Sequence, residues 1–95
     1  MGSHILFPES VTPWTATGIE DITLESLSAV IEKADEIDIL IVGCGPEFLP
    51  IPDDLREGLK EHGIVLEWMD TGAGCRTFNV LQVEERSVAA ALIAV

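Results

Sequence analysis

The stretch WMDTGAGCRTFNV, residues 68–80, holds several side chains that could do chemistry. It contains Asp-Thr-Gly-Ala, the tetrapeptide that carries the catalytic aspartate of retroviral-type aspartic proteases. Those enzymes need two carboxylates that share one proton, and they have an all-β fold with a flap after the aspartate. Few residues follow Asp70, and two segments with helical patterns precede it. We therefore interpret Asp70 and Thr71 as the junction between a strand and a helix.

A thiol is the second chemical feature of this stretch. Cys75 stands beside Arg76 near an expected helix start, and both features favour the thiolate form of a cysteine. A thiol-dependent redox protein or enzyme that uses Cys75 is one hypothesis, and a buried structural cysteine is the alternative. No Cys-x-x-Cys pair occurs, and His62, at a helix C-terminus, suits a dipole contact better than general-base catalysis. No cluster has metal-ligand spacing, so we predict no metal and no cofactor.

The glycines of VGCG, residues 42–45, mark a second strand end. The third glycine of the dinucleotide fingerprint is missing, so a sharp exit from a buried strand is the simpler interpretation. Open α/β sheets bind ligands at the carboxyl ends of their parallel strands, where both strand ends would lie. Arg76 could pair with Asp70 to fix the turn, or hold an anion with the backbone amides of residues 71–75. The candidate ligand- or partner-binding residues are Gly43, Cys44, Gly45, Asp70, Thr71, Cys75, Arg76, Thr77 and Asn79.

The elements that must position these residues alternate between strands and helices. Apolar runs predict strands at 5–7, 37–42, 64–69 and 87–95. Helical spacing predicts a helix from Thr23, its N-cap, to Lys33, and a second helix at 52–62 that ends at Gly63. Residues 75–85 fit a strand or a helix, and we favour a helix because parallel strands need a crossover. The segment 11–18 is either a loop or a further extended piece, with Trp14 over one end of the core.

Composition restricts the partners that this chain could have. Its 95 residues form one domain, 5–95, after residues 1–4, which we interpret as an expression scar. Seventeen acidic against five basic residues give a net charge of −12, which disfavours nucleic acid and anionic membrane surfaces. We recognise no signal peptide, and the longest apolar run is too short to span a bilayer. The two cysteines favour a reducing, cytoplasmic location.

Three segments resemble the Mth938-like family, also called the DUF498 family. They are DILIVGCG, then FLPIPDDLREGLKEHGIVLEWMDTGAGCRTFNVL, then RSVAAALIAV, and together they cover almost the whole chain. The resemblance implies a single three-layer α/β/α domain with a mixed, partly parallel sheet. It also supports the helix after Cys75.

The resemblance further favours an interaction protein over an enzyme, because the family includes a mitochondrial assembly factor for respiratory complex I that is not an enzyme. The leading interpretation is a small soluble assembly module for a respiratory or other membrane-associated complex, with protein partners and either a monomeric or a homodimeric state. Two alternatives stay open, namely the thiol-dependent enzyme that uses Cys75 and an anion or small-ligand binder at the junction of residues 70–79. No catalytic residue is implied by the family.

Overall fold

One mixed sheet forms the centre of the molecule. The computed structural model describes residues 3–7, 10–14, 16, 21–46, 50 and 53–93. Within them the strands are β1 (Ser3–Phe7), β2 (Ser10–Trp14), β3 (Ile39–Gly43), β4 (Val65–Met69) and β5 (Val88–Leu92). Their order across the sheet is β2-β1-β5-β3-β4. Strand β3 runs parallel to β4 and β5, whereas β1 runs antiparallel to β2 and β5.

The central strands of this sheet are buried on both faces. Strand β5 reads VAAAL and all five of its residues are buried, while β3 reads ILIVG with four buried residues. Such continuous apolar runs are typical of parallel strands that are covered by helices on both sides. The strand predicted at 37–42 starts two residues later than expected. The one predicted at 87–95 forms β5, and its last two positions, 94 and 95, lie outside the described residues.

The N-terminal part of the sheet is a β-hairpin, and the sequence did not decide whether its second strand was a strand or a loop. The first strand begins at Ser3, and Ser3 and His4 pair with Trp14 and Pro13. The segment 11–18 supplies β2 as far as Trp14, while positions 15, 17 and 18 are outside the described part of the chain. Trp14 is buried and its Nε1 donates to the backbone oxygen of Ser26 at 2.9 Å, so it closes one end of the core as predicted. That residues 1–4 are a scar stays a prediction.

Helices cover the two faces of the sheet unequally. Helices α1 (Ser28–Ile31) and α2 (Asp53–Glu61) lie on one face and α3 (Thr71–Val83) on the other, so the three-layer α/β/α fold is confirmed. The α1–α2 side holds the larger core, which includes Leu27, Val30, Leu55, Leu59, Leu40, Val42 and Leu66. The α3 side holds a smaller one, made of Ile41, Phe78, Val88, Ala90 and Leu92. Each fully buried Leu, Ile or Phe contributes about 1.5–3 kcal/mol, so most of the apolar stabilisation lies on the α1–α2 side.

The helix predicted from Thr23 to Lys33 is wrong in its extent. Residues 24–27 form turns, and regular helix covers only Ser28–Ile31. The predicted cap is nevertheless present: the Ser26 N–H donates to Thr23 Oγ1 at 3.1 Å, and the Thr23 N–H donates to Ser26 Oγ at 3.0 Å, as in a capping box. Ser26 Oγ also donates to the Thr23 carbonyl at 2.8 Å. After this cap the Leu27 and Ser28 N–H groups donate to Leu24 and Glu25, three residues back, at 3.1 and 3.2 Å. The first turn is therefore of the tighter 3-10 type, and regular α-helix starts later.

The predicted bounds of the other two helices agree better with the structure. Helix α2 ends at Glu61, and Gly63 follows in the left-handed region with φ +79°, as its predicted role at the helix end requires. Position 52, where we predicted the start of that helix, lies outside the described residues. Helix α3 begins at Thr71, four residues before the ambiguous stretch, and the helical choice for that stretch was correct. Within the described residues, no helix is both long and apolar enough to cross a membrane.

Candidate functional site

The junction between β4 and α3 is fastened by the hydroxyl of one buried threonine. Thr71 Oγ1 donates to the backbone oxygen of Ile93 at 2.8 Å and accepts from the Gly45 N–H at 3.0 Å. The Thr71 N–H donates to the Gly45 oxygen at 2.9 Å. Thr71 is only 6% exposed. This one residue therefore ties the segments after β3 and β5 to the start of α3, and its polar groups are used inside the fold.

Close backbone contacts explain the glycines around Thr71. A β-carbon built on Gly43 would lie 2.8 Å from Thr71 Cα and 2.9 Å from Leu92 Cδ2, so only glycine fits there without movement. A β-carbon on Gly74 would lie 3.1 Å from Leu92 Cδ2, which shows how closely α3 approaches the sheet. Gly45 has φ +118°, a value that favours glycine. These glycines are accounted for by chain geometry alone.

The start of α3 is capped by its own aspartate. Asp70 is the N-cap, and its Oδ1 accepts from the Ala73 N–H at 2.9 Å. A β-carbon built on Gly72 would be 3.4 Å from Asp70 Oδ1 and 3.6 Å from Arg76 Nη1, so both side chains lie beside Gly72. The contacts of the described residues include no ion pair between them. Asp70 therefore fixes the turn by capping, in place of the proposed pairing with Arg76.

The backbone amides at this helix start have little capacity left for an anion. Of the amides proposed as donors, that of Thr71 donates to Gly45, that of Ala73 to Asp70 Oδ1, and that of Gly74 to the Asp70 oxygen at 2.9 Å. An anion would also have to lie against the Asp70 carboxylate. The geometry thus speaks against the anion-binding alternative at residues 71–75.

The two cysteines lie in different environments. Cys44 is buried, 2% exposed, and its N–H donates to the Met69 oxygen at 2.8 Å. Cys75 lies on the solvent side of α3, and the two thiols are not joined in a disulfide. Among the described residues, no group of three or more His, Cys, Asp or Glu side chains could hold a metal ion. Among the described residues, no contact joins Cys75 to a second thiol or to a general base.

The remaining candidate residues lie on one exposed helix surface. Cys75, Arg76 and Asn79 are exposed and Thr77 is half-buried. Sequence reasoning missed two further members, Val80 and Val83, which are 57% and 83% exposed. We call five of the exposed residues of this helix the outer face of α3; they are Cys75, Arg76, Asn79, Val80 and Val83. The missed signal was that Val80 and Val83 fall outside the stripe that faces the sheet, which is formed by Gly74, Phe78 and Leu81.

Charge sets this face apart from the rest of the protein. Helix α3 contains no acidic residue in 13 positions, in a chain with 17 acids and a net charge of −12. The exposed large apolar side chains of the described part, at Val11, Val65, Val80 and Val83, lie on the α3 side of the sheet. Cores of protein interfaces are depleted in charge and enriched in arginine, and the outer face of α3 has that composition.

The class of protein follows from comparison with a solved structure and with a family of known sequences. The solved structure of a Bordetella pertussis protein described as a Mth938-like domain matches with a TM-score of 0.81 and 26% identity, covering 97% of this chain and 73% of that chain. Over residues 1–93 the chain matches the family described as "Protein of unknown function (DUF498/DUF598)", and it belongs to that family. The resemblance seen in the sequence is therefore confirmed.

Two individual relatives are more similar still in sequence. A Bartonella henselae protein, whose crystal structure is described as that of an outer membrane protein, is 44% identical with a TM-score of 0.89, covering 98% of this chain and 78% of that chain. The Xenopus tropicalis NADH dehydrogenase (ubiquinone) 1 alpha subcomplex assembly factor 3 is 34% identical over 93 residues, covering 98% of this chain and 51% of the relative. The chain thus spans about half the length of the curated relatives that it matches.

Proposed function

We propose that this protein is an assembly module that docks onto a protein partner through the outer face of α3. The observation that carries the proposal is the composition of that face: two exposed valines and one arginine on an acid-free helix, in a chain of net charge −12. Acidic residues elsewhere keep a small protein dispersed, so their absence from one exposed helix leaves a surface that association can cover. Arg76 supplies the one charged contact, to an acidic group of the partner.

The relatives indicate which kind of partner to expect. Curated relatives are named as assembly factors of NADH dehydrogenase, and this chain matches about half of their length. We therefore infer that the partner is a subunit of a membrane-associated complex. A cytoplasmic location belongs to the same proposal and is supported by two cysteines that form no disulfide. The thiol-dependent alternative has no such support from the relatives or from the surroundings of Cys75.

The proposal is tested by affinity capture from gently solubilised native membranes and, separately, from the cytosolic fraction. Tagged wild-type protein is compared with Arg76→Ala, with Val83→Gln, and with Lys60→Ala, which removes a base from α2 on the opposite layer. We expect the first two to lose at least about tenfold in affinity, as arginine and apolar anchors do at interface centres. Lys60→Ala should bind as the wild type does.

Folding must be matched before the binding results are compared. Arg76, Val83 and Lys60 are all exposed, so the three variants should unfold within about 0.5 kcal/mol of the wild type in urea. Equal recovery of membrane-complex subunits by all four proteins would exclude the outer face of α3 as the contact surface. Recovery of no specific subunit by the wild type would count against the assembly function itself.

A further inference from the structure

The outermost strand on one side of the sheet has a sequence that would readily pair with another strand. Strand β4 is last in the sheet order, and with Ile64 it reads IVLEWM, six residues with one charge, that of Glu67. Segments of this length with β-branched and aromatic residues, little charge and no proline are those that stack into intermolecular sheets. An outermost strand of this kind is a hazard that natural proteins cover or interrupt.

The backbone groups of β4 that face outward can be identified from those that face β3. The Val65 N–H donates to Asp38 on the β3 side at 2.9 Å, and the Met69 oxygen accepts from Cys44 at 2.8 Å. Along a strand, the two backbone groups of one residue point to the same side and successive residues alternate. Leu66 and Trp68 therefore direct their backbone groups to the outer edge.

One arginine from the neighbouring helix covers this edge. Arg56 Nη1 donates to the Leu66 oxygen at 3.0 Å across a partly buried contact. Arg56 lies on α2, whose Leu55 and Leu59 are buried against the sheet, so the helix holds the guanidinium at the strand. A strand that approached β4 would need the Leu66 oxygen as an acceptor and would have to displace a charged, bonded side chain.

At the opposite edge of the sheet, a proline in β2 weakens pairing with a further strand. Pro13 of β2 pairs with His4, and because proline has no N–H, this must be a pair without direct hydrogen bonds to β1. Pro13 therefore directs its vacant nitrogen outward, and within β2 only Val11 presents an outward N–H. Proline is confined to such edge positions in sheets, where it weakens pairing with a further strand.

We propose that Arg56 protects the β4 edge against pairing with a second copy of the protein. Because its guanidinium occupies the Leu66 oxygen, a β4 strand of another molecule cannot add to the sheet there. This role of Arg56 is independent of partner docking, because α2 and α3 lie on opposite layers. Without it, β4 strands of two copies would pair edge to edge, and the outward amide of Leu66 would become hydrogen-bonded between molecules.

The test compares Arg56→Met with Lys60→Met by sedimentation and light scattering over a range of protein concentrations. Both substitutions remove one positive charge from the same side of α2, one turn apart, but the described contacts give Lys60 no bond to β4. We expect Arg56→Met to self-associate at least about tenfold more tightly than the wild type, and Lys60→Met to behave as the wild type does. Hydrogen exchange should show the Leu66 amide becoming protected only in associated Arg56→Met.

A second substitution separates edge pairing from general instability. Val65 is 59% exposed on β4, and a lysine there is a known obstacle to strand addition. Arg56→Met combined with Val65→Lys should return to the wild-type state of association. Arg56→Gln provides a milder removal of the charged donor and should also associate. The proposal is overturned if the Arg56 variants stay dispersed as the wild type does, if Val65→Lys fails to reverse association, or if both Arg56 variants simply unfold.

Discussion

At the scale of single residues, the hydroxyl of Thr71 stabilises the fold, whereas the sequence suggested that Thr71 binds a ligand. It makes two buried hydrogen bonds, to Gly45 and to Ile93, and the second spans 22 residues of chain. Thr71→Val keeps the shape of the side chain but leaves a buried N–H and a buried carbonyl without their partner. We expect a loss of about 1–3 kcal/mol in the free energy of unfolding, measured by urea denaturation.

A matched variant shows whether the hydroxyl is the cause. Thr71→Ser retains the hydroxyl and should recover most of the stability that Thr71→Val loses. In the valine variant the Gly45 amide should also exchange its hydrogen faster, because it loses the Thr71 acceptor. An equal loss of stability in both variants would point to packing of the Thr71 methyl group instead.

The residue types at this junction were recognisable in the sequence, but their role was not. Gly43, Gly45 and Thr71 were nominated for ligand binding because strand ends in α/β sheets often bind ligands. Their actual use depends on Ile93 and Leu92, which follow far along the chain and carry no local pattern that refers to position 71. Only the capping role of Asp70 is a local contact, with a residue three positions on. The assignment of these residues to partner binding stays a prediction.

At the scale of elements, α3 ends in an arrangement that its sequence does not favour. The Glu85 N–H donates to Gln82 at 3.0 Å and the Arg86 N–H to Leu81 at 3.0 Å, which is the Schellman pattern of a helix C-terminus. The residue after the C-cap Glu84 must then be left-handed, and it is Glu85, with φ +61°. Glycine is the usual choice there because a side chain in that region is strained.

Glu85→Gly should therefore stabilise the protein. We expect a gain of about 0.5–1 kcal/mol in the free energy of unfolding, which is the strain relieved at one left-handed residue less the added chain entropy. Glu84→Gly removes the same charge at the preceding position, where φ is −81°. It should give no gain, so thermal or urea unfolding of the pair distinguishes backbone strain from charge. A gain of equal size in both would assign the effect to charge.

The elements themselves were predictable where the pattern was long and continuous. The apolar runs of β3, β4 and β5 and the helical stripe of α2 placed these elements within a few residues. The sequence did not decide between a strand and a loop for β2, because Pro13 and a mixed polar pattern weaken the strand prediction there. The first helix was overestimated because the backbone after Thr23 bonds over three residues and not four, which apolar spacing does not reveal.

At the scale of the whole molecule, the net charge of −12 should oppose compaction. The self-repulsion of a strongly charged chain destabilises its compact state, and salt screens that repulsion. We expect added sodium chloride to raise the midpoint of thermal unfolding by roughly 4–8 °C, which corresponds to about 1 kcal/mol for a domain of this size. A variant with Glu57→Gln and Glu84→Gln, both at exposed positions, should show a smaller rise. A midpoint that is insensitive to salt in both proteins would contradict this account.

The position of β5 in the sheet has a consequence for how the protein is made. Strand β5 lies between β1 and β3, so it alone joins the N-terminal hairpin to the β3–β4 pair. Among the described strands it is also the last in the order of synthesis. A nascent chain that stops short of Val88 on the ribosome holds two separate pieces of sheet and neither complete core, because Val88, Ala90 and Leu92 face α3 while Ala89 and Ala91 face the opposite layer. The fold is therefore completed only after this strand has left the exit tunnel, and until then the growing chain depends on the cell to keep it from aggregating.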